Sequence, residues 1–319
     1  MNKEINLYPK PKILISKCLG FEACRYDNLM ICSPIVEKLK GFIEAIQICP
    51  EIEIGLKIPR DPIRIIKIQD KLHLIQPATK NDYTKKIYDF SINFLSTLNE
   101  IDGAILKRKS PTCGIKDAKI FASADRDDIL SNGSGFFTKI LMCLFAYLPI
   151  EDEKGLLNAN IREDFYTRIF ALSRFHYVKW QKSKKILSDF HRRMKYLLMA
   201  YNEKEMRILG RIIAHSKGKN YNALVNSYSK HYYKIFSKPT KISSHINAMN
   251  HITGYFKNQL SKKEKTFIND KINQYRNNQI MLSDLLKIIK RCAIRFNVNY
   301  IMEQYYLDPF PYEVEKKRE

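Results

Sequence analysis

The apolar residues of this chain follow one spacing before about residue 150 and another beyond about residue 160, and that change decides the architecture. In the first part, short runs rich in β-branched residues alternate with stretches whose apolar positions recur every three or four residues. Residues 13–16 read as a buried strand, residues 45–48 as a second apolar run, residues 63–68 and 72–75 as strands or a hairpin, and residues 103–106 as another short strand. Residues 35–45 read as a helix with Pro34 in its first turn, and residues 83–98 as an amphipathic helix with Ile87, Phe90, Phe94 and Leu98 on one face. Residues 135–148 are expected to be helical. Strands alternating with helices imply an α/β N-terminal domain with a mostly parallel sheet.

The later spacing is helical almost throughout, so an all-α C-terminal domain is expected. Helices are predicted over 187–201, 205–215, 221–236, 245–260, 263–277 and 281–296, with Ser261 and Glu264 three residues apart as a capping box for the fifth. The expected division is 1–150 and 151–319, with residues 149–160 as linker.

The charge follows the same division. The chain carries +22, of which +5 falls on residues 1–150 and +17 on residues 151–319. A folded domain with such an excess attracts polyanions, because neutralised phosphates release condensed counterions. His191, Arg192, Arg193 and Lys195 form the first candidate RNA-contacting group, which Arg162, Arg168, Arg174, Lys179 and Trp180 extend; the rival reading is a solvated helix face. Residues 140–148, the longest apolar stretch, are far too short to span a bilayer, and no signal peptide precedes Pro9. A cytoplasmic protein with no membrane contact is expected.

Seven cysteines, an odd number, do not suit a disulfide framework in such a compartment. Three of them share a position. Cys18 follows the first strand, Cys49 follows the run ending at Ile48, and Cys113 follows the strand at 103–106 by a short loop. The carboxyl ends of parallel strands lie along one edge, where α/β proteins bind ligands, so the three thiols can meet. Three thiolates are one short of a closed zinc site and suit a 4Fe–4S cluster with one iron left open, whereas the bland alternative is three small buried hydrophobes. Cys49-Pro50-Glu51 sets a carboxylate beside one thiol, and Ser110-Pro111-Thr112-Cys113-Gly114 sets a hydroxyl three residues before another. Lys107, Arg108 and Lys109, just ahead of that turn, are candidates for contacting an RNA backbone. Asp82-Tyr83-Thr84 either shapes a pocket or caps the helix that follows.

At these residues the chain resembles a known family. Ser16-Lys17-Cys18-Leu19-Gly20, Arg25-Tyr26-Asp27, Cys49-Pro50-Glu51, Gly55-Leu56, Pro59-Arg60, Asp102-Gly103 and residues 110–114 are similar to the thiouracil desulfidase family. Phe190-His191, residues 195–200, Leu209-Gly210-Arg211, His251, Gly254-Tyr255-Phe256, Tyr275-Arg276, Gln304, Pro309 and Pro311 resemble the helical YbgA-type domain. The fused pair resembles tRNA 4-thiouridine desulfidases. The resemblance implies a 4Fe–4S cluster on Cys18, Cys49 and Cys113, catalytic roles for Glu51 and Ser110, and a helical domain that holds tRNA. One departure stands out: Phe21 occupies a place where the family often has glycine, and Cys24 lies close by, as a fourth ligand or a sulfur-accepting thiol. The competing functions are desulfuration of free thiouracil and noncatalytic RNA binding with structural cysteines.

Overall fold

The structure, a computed structural model, describes residues 8–124 and 126–314, and these form two units, one of Lys10–Phe165 and one that begins at Tyr166 and includes Tyr8 and Pro9. The first unit runs β1 (Lys12–Ser16), α1 (Pro34–Leu39), β2 (Glu44–Ile48), α2 (Pro50–Glu53), β3 (Arg64–Ile68), β4 (Lys71–Gln76), β5 (Asn81–Asp82), α3 (Thr84–Thr97), β6 (Gly103–Leu106), β7 (Ala118–Phe121), β8 (Ile129–Gly133), α4 (Phe136–Leu144) and β9 (Ile150–Asp152).

Its four-stranded sheet has the order β2-β1-β6-β9 and is parallel throughout. Ile13, Leu14 and Ile15 of β1 have no solvent exposure, as a strand covered on both faces requires. The register sets Ser16 beside Ile48 and Ile15 beside Ile105, so three carboxyl ends finish at one edge. Leu14, Ala104 and Leu106 pack against Leu95 of α3 and against Phe137 and Leu141 of α4. A second, mixed sheet of order β5-β4-β3-β7-β8 carries the anticipated hairpin as β3 and β4.

The architecture expected from the periodicity is present, with local differences: the helix expected over 35–45 ends at Leu39 with β2 beginning at Glu44, and the helix expected over 245–260 ends at Thr253. β7 and β8 were not anticipated: β7 is only four residues long, and every residue of β8 before Gly133 is exposed, so β8 has no apolar alternation to read. Residues 150–152, expected to lie in a linker, form β9 as the edge strand beside β6. The helix expected over 135–148 ends at Leu144, where Phe145 leaves helical geometry at φ −122° and ψ 59°. The two helices expected on either side of residue 203 are joined as α6. There Asn202 is non-helical, at φ −161° and ψ 96°, and its side chain accepts from Glu205 N–H at 3.1 Å, an internal cap.

From the boundary onward the chain is helical: α5 (Ala159–Trp180), α6 (Lys184–Ala214), α7 (Tyr221–Phe236), α8 (Ile242–Thr253), α9 (Lys262–Arg276), α10 (Leu282–Arg295) and α11 (Asn299–Met302). The capping box at Ser261 and Glu264 is formed in both directions. Phe175, Phe190, Tyr228 and Tyr232 make an aromatic core, Phe175 and Tyr232 lying 4.4 Å apart between ring centroids. Among the described residues no helix is long and apolar enough to cross a membrane.

Candidate active site

The carboxyl edge of the parallel sheet opens into a cavity of about 310 Å³ lined by Ser16, Cys18, Cys24, Arg25, Tyr26, Cys49, Glu51, Arg60 and residues 107–113. Cys18, Cys49, Cys113, Glu51 and Ser110 therefore share one space, although 95 positions separate the first and last of these cysteines. Each thiol is placed by its strand. Cys18 follows β1, and its carbonyl accepts from Ile31 N–H at 2.8 Å. Two residues on, Gly20 has φ +84°, and a side chain there would strike the Glu37 carboxylate, so the turn needs glycine. Cys49 is the N-cap residue of α2, with Pro50 at the first helical position, which directs Glu51 into the cavity.

The third thiol is on a loop that is tied at both ends. Glu153 accepts from Lys107 Nζ at 2.6 Å and Arg108 N–H at 3.0 Å; Asp117 accepts from Arg108 Nε at 2.6 Å and Lys109 N–H at 3.0 Å. Gly135 N–H donates to Gly114 O at 2.8 Å, Phe136 N–H to Pro111 O at 3.1 Å and Thr138 N–H to Thr112 O at 3.2 Å. The Thr138 hydroxyl donates to Cys113 O at 2.8 Å. The start of α4 thus holds the loop backbone by contact so close that a Cβ on Gly135 would sit 2.4 Å from the Thr112 carbonyl.

Glu51 is held by two partners. The Arg60 guanidinium donates to Oε2 at 2.6 and 3.2 Å, and the Thr112 hydroxyl donates to Oε1 at 3.0 Å. The Arg60 side chain is 4% exposed and that of Glu51 12%, so the pair is largely shielded from water. Arg60 also donates to the Cys24 carbonyl at 3.2 Å, which ties the β1 loop to the carboxylate. The Ser110 hydroxyl accepts from Thr112 N–H at 3.2 Å and Cys113 N–H at 3.1 Å, and lies 2.9 Å from the Thr112 hydroxyl.

Cys24, Cys49 and Cys113 are poor acids in this setting. Burial pushes Cys113 up to about 12, against a smaller lowering from the hydroxyls of Ser16 and Thr112. The hydrogen bond with Cys18 raises Cys24 to about 11, and the bond with Cys24 raises Cys49 well above the ordinary thiol value. Metal loading at such thiols releases protons, since thiolates are the ligands. The donor set fits an iron–sulfur group: soft sulfur ligands converge on a space far larger than one ion, at the end of a rigid sheet. Among the described residues no three His, Cys, Asp or Glu side chains are placed to hold a single metal ion. Cys24 belongs to the same cavity and is within hydrogen-bonding reach of Cys18 and Cys49.

The basic candidates separate. Lys107 and Arg108 line the cavity with their charges committed to Glu153 and Asp117. Lys109 lines it with no ion pair among the described residues. In the helical unit, His191 bonds the Tyr228 hydroxyl at 3.2 Å, and burial lowers it to about 4, so it is neutral. Arg192 and Arg193 both bond Asp189, and Lys195 lies over the rings of Tyr196 and Tyr300. Arg174, expected to extend the RNA-contacting group, is instead fully buried and donates to the Pro309 carbonyl at 2.7 Å. Asp82 caps the helix, accepting from Thr84 N–H at 2.7 Å, and does not line the cavity.

Sequence reasoning assigned no role to Arg60, Thr112 or Ser16. Thr112 had a visible signal, a hydroxyl between the candidate Ser110 and Cys113. Arg60 stands only within the Pro59-Arg60 motif of the resemblance, with nothing to pair it with Glu51, because that contact depends on the fold.

Two family models match the chain: one described as 2-thiouracil desulfurase over residues 13–153, and one described as a protein of unknown function (DUF1722) over residues 195–311. The uncharacterized protein YbbK of Bacillus subtilis (strain 168) is 33% identical over 109 residues, which are 32% of this chain and 72% of YbbK. The uncharacterized protein YbgA of Escherichia coli (strain K12) is 27% identical over 146 residues, 45% of this chain and 86% of YbgA. Among solved structures, the [4Fe-4S]-dependent thiouracil desulfidase TudS is 25% identical with a TM-score of 0.37, covering 46% of this chain and 94% of its own. The two family models and the YbgA match bear out both halves of the resemblance seen in the sequence motifs.

Proposed function

Because the chain belongs to the 2-thiouracil desulfurase family through residues 13–153, we propose that it replaces the sulfur of a thiolated uracil by oxygen, acting in the cytoplasm on 4-thiouridine in tRNA. The observation that carries this reading is the meeting of three thiols, a carboxylate and a hydroxyl around one cavity. Cys18, Cys49 and Cys113 would hold a 4Fe–4S cluster, which when bound supplies a thiophilic Lewis acid for the departing sulfur. The chain's own residues do the proton work. Glu51 takes a proton from the attacking water, and the two hydrogen bonds from Arg60 hold that carboxylate in position. Ser110 donates a proton to the leaving sulfur. Water adds to the ring carbon, the carbon–sulfur bond breaks with its electron pair on sulfur, and uracil and hydrogen sulfide result without net oxidation or reduction.

The +17 carried by residues 151–319 supports RNA over a free base, since a base alone needs no polycationic partner. Anaerobic reconstitution followed by incubation with thiolated tRNA and, separately, with free thiouracil tests the reading. Faster conversion of the tRNA, weakening as salt rises, is expected. Equal or preferential conversion of the free base assigns the smaller substrate, and a protein that binds tRNA but takes up no iron is a noncatalytic RNA binder.

A further inference from the structure

Between the carboxylate and the hydroxyl assigned to the reaction lies a third group, and the hydrogen-bond count around it fixes its direction. The Ser110 oxygen accepts two backbone N–H groups, those of Thr112 at 3.2 Å and Cys113 at 3.1 Å. A hydroxyl has two acceptor lone pairs and one hydrogen, so before substrate binds its hydrogen is left for the Thr112 oxygen at 2.9 Å, and donation to the thio sulfur requires that hydrogen to turn from Thr112 to the bound base. Thr112 then has one hydrogen of its own and two acceptors in reach, Glu51 Oε1 at 3.0 Å and Cys113 Sγ at 3.6 Å. The carboxylate is the nearer and stronger acceptor. Arg60 occupies Oε2, which leaves Oε1 as the end of the chain. Thr112 is 1% exposed, so bulk water does not bridge Ser110 and Glu51 in its place.

From this geometry we infer that Thr112 is a positioning residue that joins Ser110 and Glu51 into one proton path. The inference rests on the desulfidase reading above. During turnover Glu51 gains one proton from water, and Ser110 gives one to sulfur. The cycle closes when Glu51 passes its proton to the Thr112 oxygen as Thr112 passes its own to Ser110. The second proton of water leaves in hydrogen sulfide, so thiocarbonyl and water become carbonyl and hydrogen sulfide with no co-reactant. The path resets both groups without opening the cavity to solvent. It also explains why the loop holding Ser110 must sit within hydrogen-bonding distance of a residue 61 positions earlier in the chain.

The test uses the reconstituted full chain with a thiolated uracil substrate. Thr112→Val keeps the shape and removes the hydroxyl; Thr112→Ser restores it. Valine is expected to lower kcat about 100-fold, within the range of general acid–base effects, with KM and the iron content of the protein unchanged. Serine is expected to return kcat to near the wild-type value. A purely structural role would instead change iron content, thermal stability and KM together. If Thr112→Val does not fold, rates in mixtures of H2O and D2O replace it: two hydroxyl protons moving together give a curved dependence on deuterium fraction, and a straight line overturns the path. Wild-type kcat in Thr112→Val, or loss of kcat in Thr112→Ser, also overturns it. A loaded wild-type protein that converts no thiolated substrate removes the parent reading as well.

Discussion

Adding one methyl group at Gly135 should damage the cavity from behind. A Cβ there would lie 2.4 Å from the Thr112 carbonyl carbon and oxygen and 2.8 Å from Cys113 N, far inside any real contact. The backbone of Gly135 is ordinary, at φ −61° and ψ 156°, so the effect of Gly135→Ala is purely steric. Relief requires the loop or the start of α4 to move by about 1 Å, which breaks or weakens the hydrogen bonds of Gly135, Phe136 and Thr138 to residues 111–114. Overpacking of this kind costs about 1–3 kcal/mol, and one or two lost hydrogen bonds add about 1 kcal/mol each. A total of roughly 2–5 kcal/mol would lower the thermal transition of the Lys10–Phe165 unit by roughly 5–15 °C. Because Ser110, Thr112 and Cys113 move together, turnover should fall about 100-fold for a misplacement of that size. Gly41→Ala is the control, as nothing lies within 4 Å of its added carbon; it should change stability by less than about 0.5 kcal/mol. Scanning calorimetry, iron content and initial rates are the assays. Wild-type values of all three in Gly135→Ala would refute the claim that α4 sets the loop.

The remaining predictions concern the carboxylate, the sulfur ligands and the helical unit. Glu51→Gln keeps the shape and one acceptor oxygen, enough for Arg60 or Thr112 but not both, and no base, so it should retain the visible absorbance of the reconstituted protein while turnover drops by about 100-fold or more; substantial turnover would remove Glu51 from the chemistry. Serine in place of Cys18, Cys49 or Cys113 should each abolish stable iron binding, whereas Cys24→Ser should leave iron per chain unchanged; the reverse pattern would reassign the ligands. His245 is 6% exposed, and burial lowers it to about 4 from 6.5. The unfolded chain therefore takes up that proton first: the contribution is complete above pH 6.5 and is lost as pH falls toward 4. The full loss is at most about 3 kcal/mol, and His191, also lowered to about 4, adds in the same direction. Urea midpoints for the helical unit should fall between pH 7 and pH 5; a level profile would contradict the buried, neutral state of these histidines.

The legible parts of this fold are those where one element carries its own signal. β1 and β6 are unbroken apolar runs buried on both faces, and the α6–α10 helices repeat their apolar residues at helical spacing, so all could be placed from the chain alone. β8 and β9 could not, because their pairing with β7 and β6 comes from neighbours rather than from their own side chains. The same division holds at the cavity. Cys18, Cys49 and Cys113 each follow a readable strand, so their common edge was deducible. The bonds from Thr112 to Glu51 and from Arg60 to Cys24 join segments 61 and 36 positions apart, and no local spacing encodes them or the bond from Arg60 to Glu51. Arg174 errs in the other direction: as an arginine in the basic half it groups with the RNA-contacting candidates, yet carbonyls of residues 308 and 309 and the rings of Tyr8 and Tyr305 make a buried place for it.

The claim at the centre is that this cavity turns a thiocarbonyl into a carbonyl. Quantifying uridine and sulfide after the anaerobically reconstituted protein meets tRNA containing 4-thiouridine addresses it directly. One uridine and one sulfide should appear for each 4-thiouridine lost, with no added reductant or oxidant. A protein that takes up iron fully and still leaves the thiolated nucleoside intact, in tRNA and as the free base alike, would contradict the account.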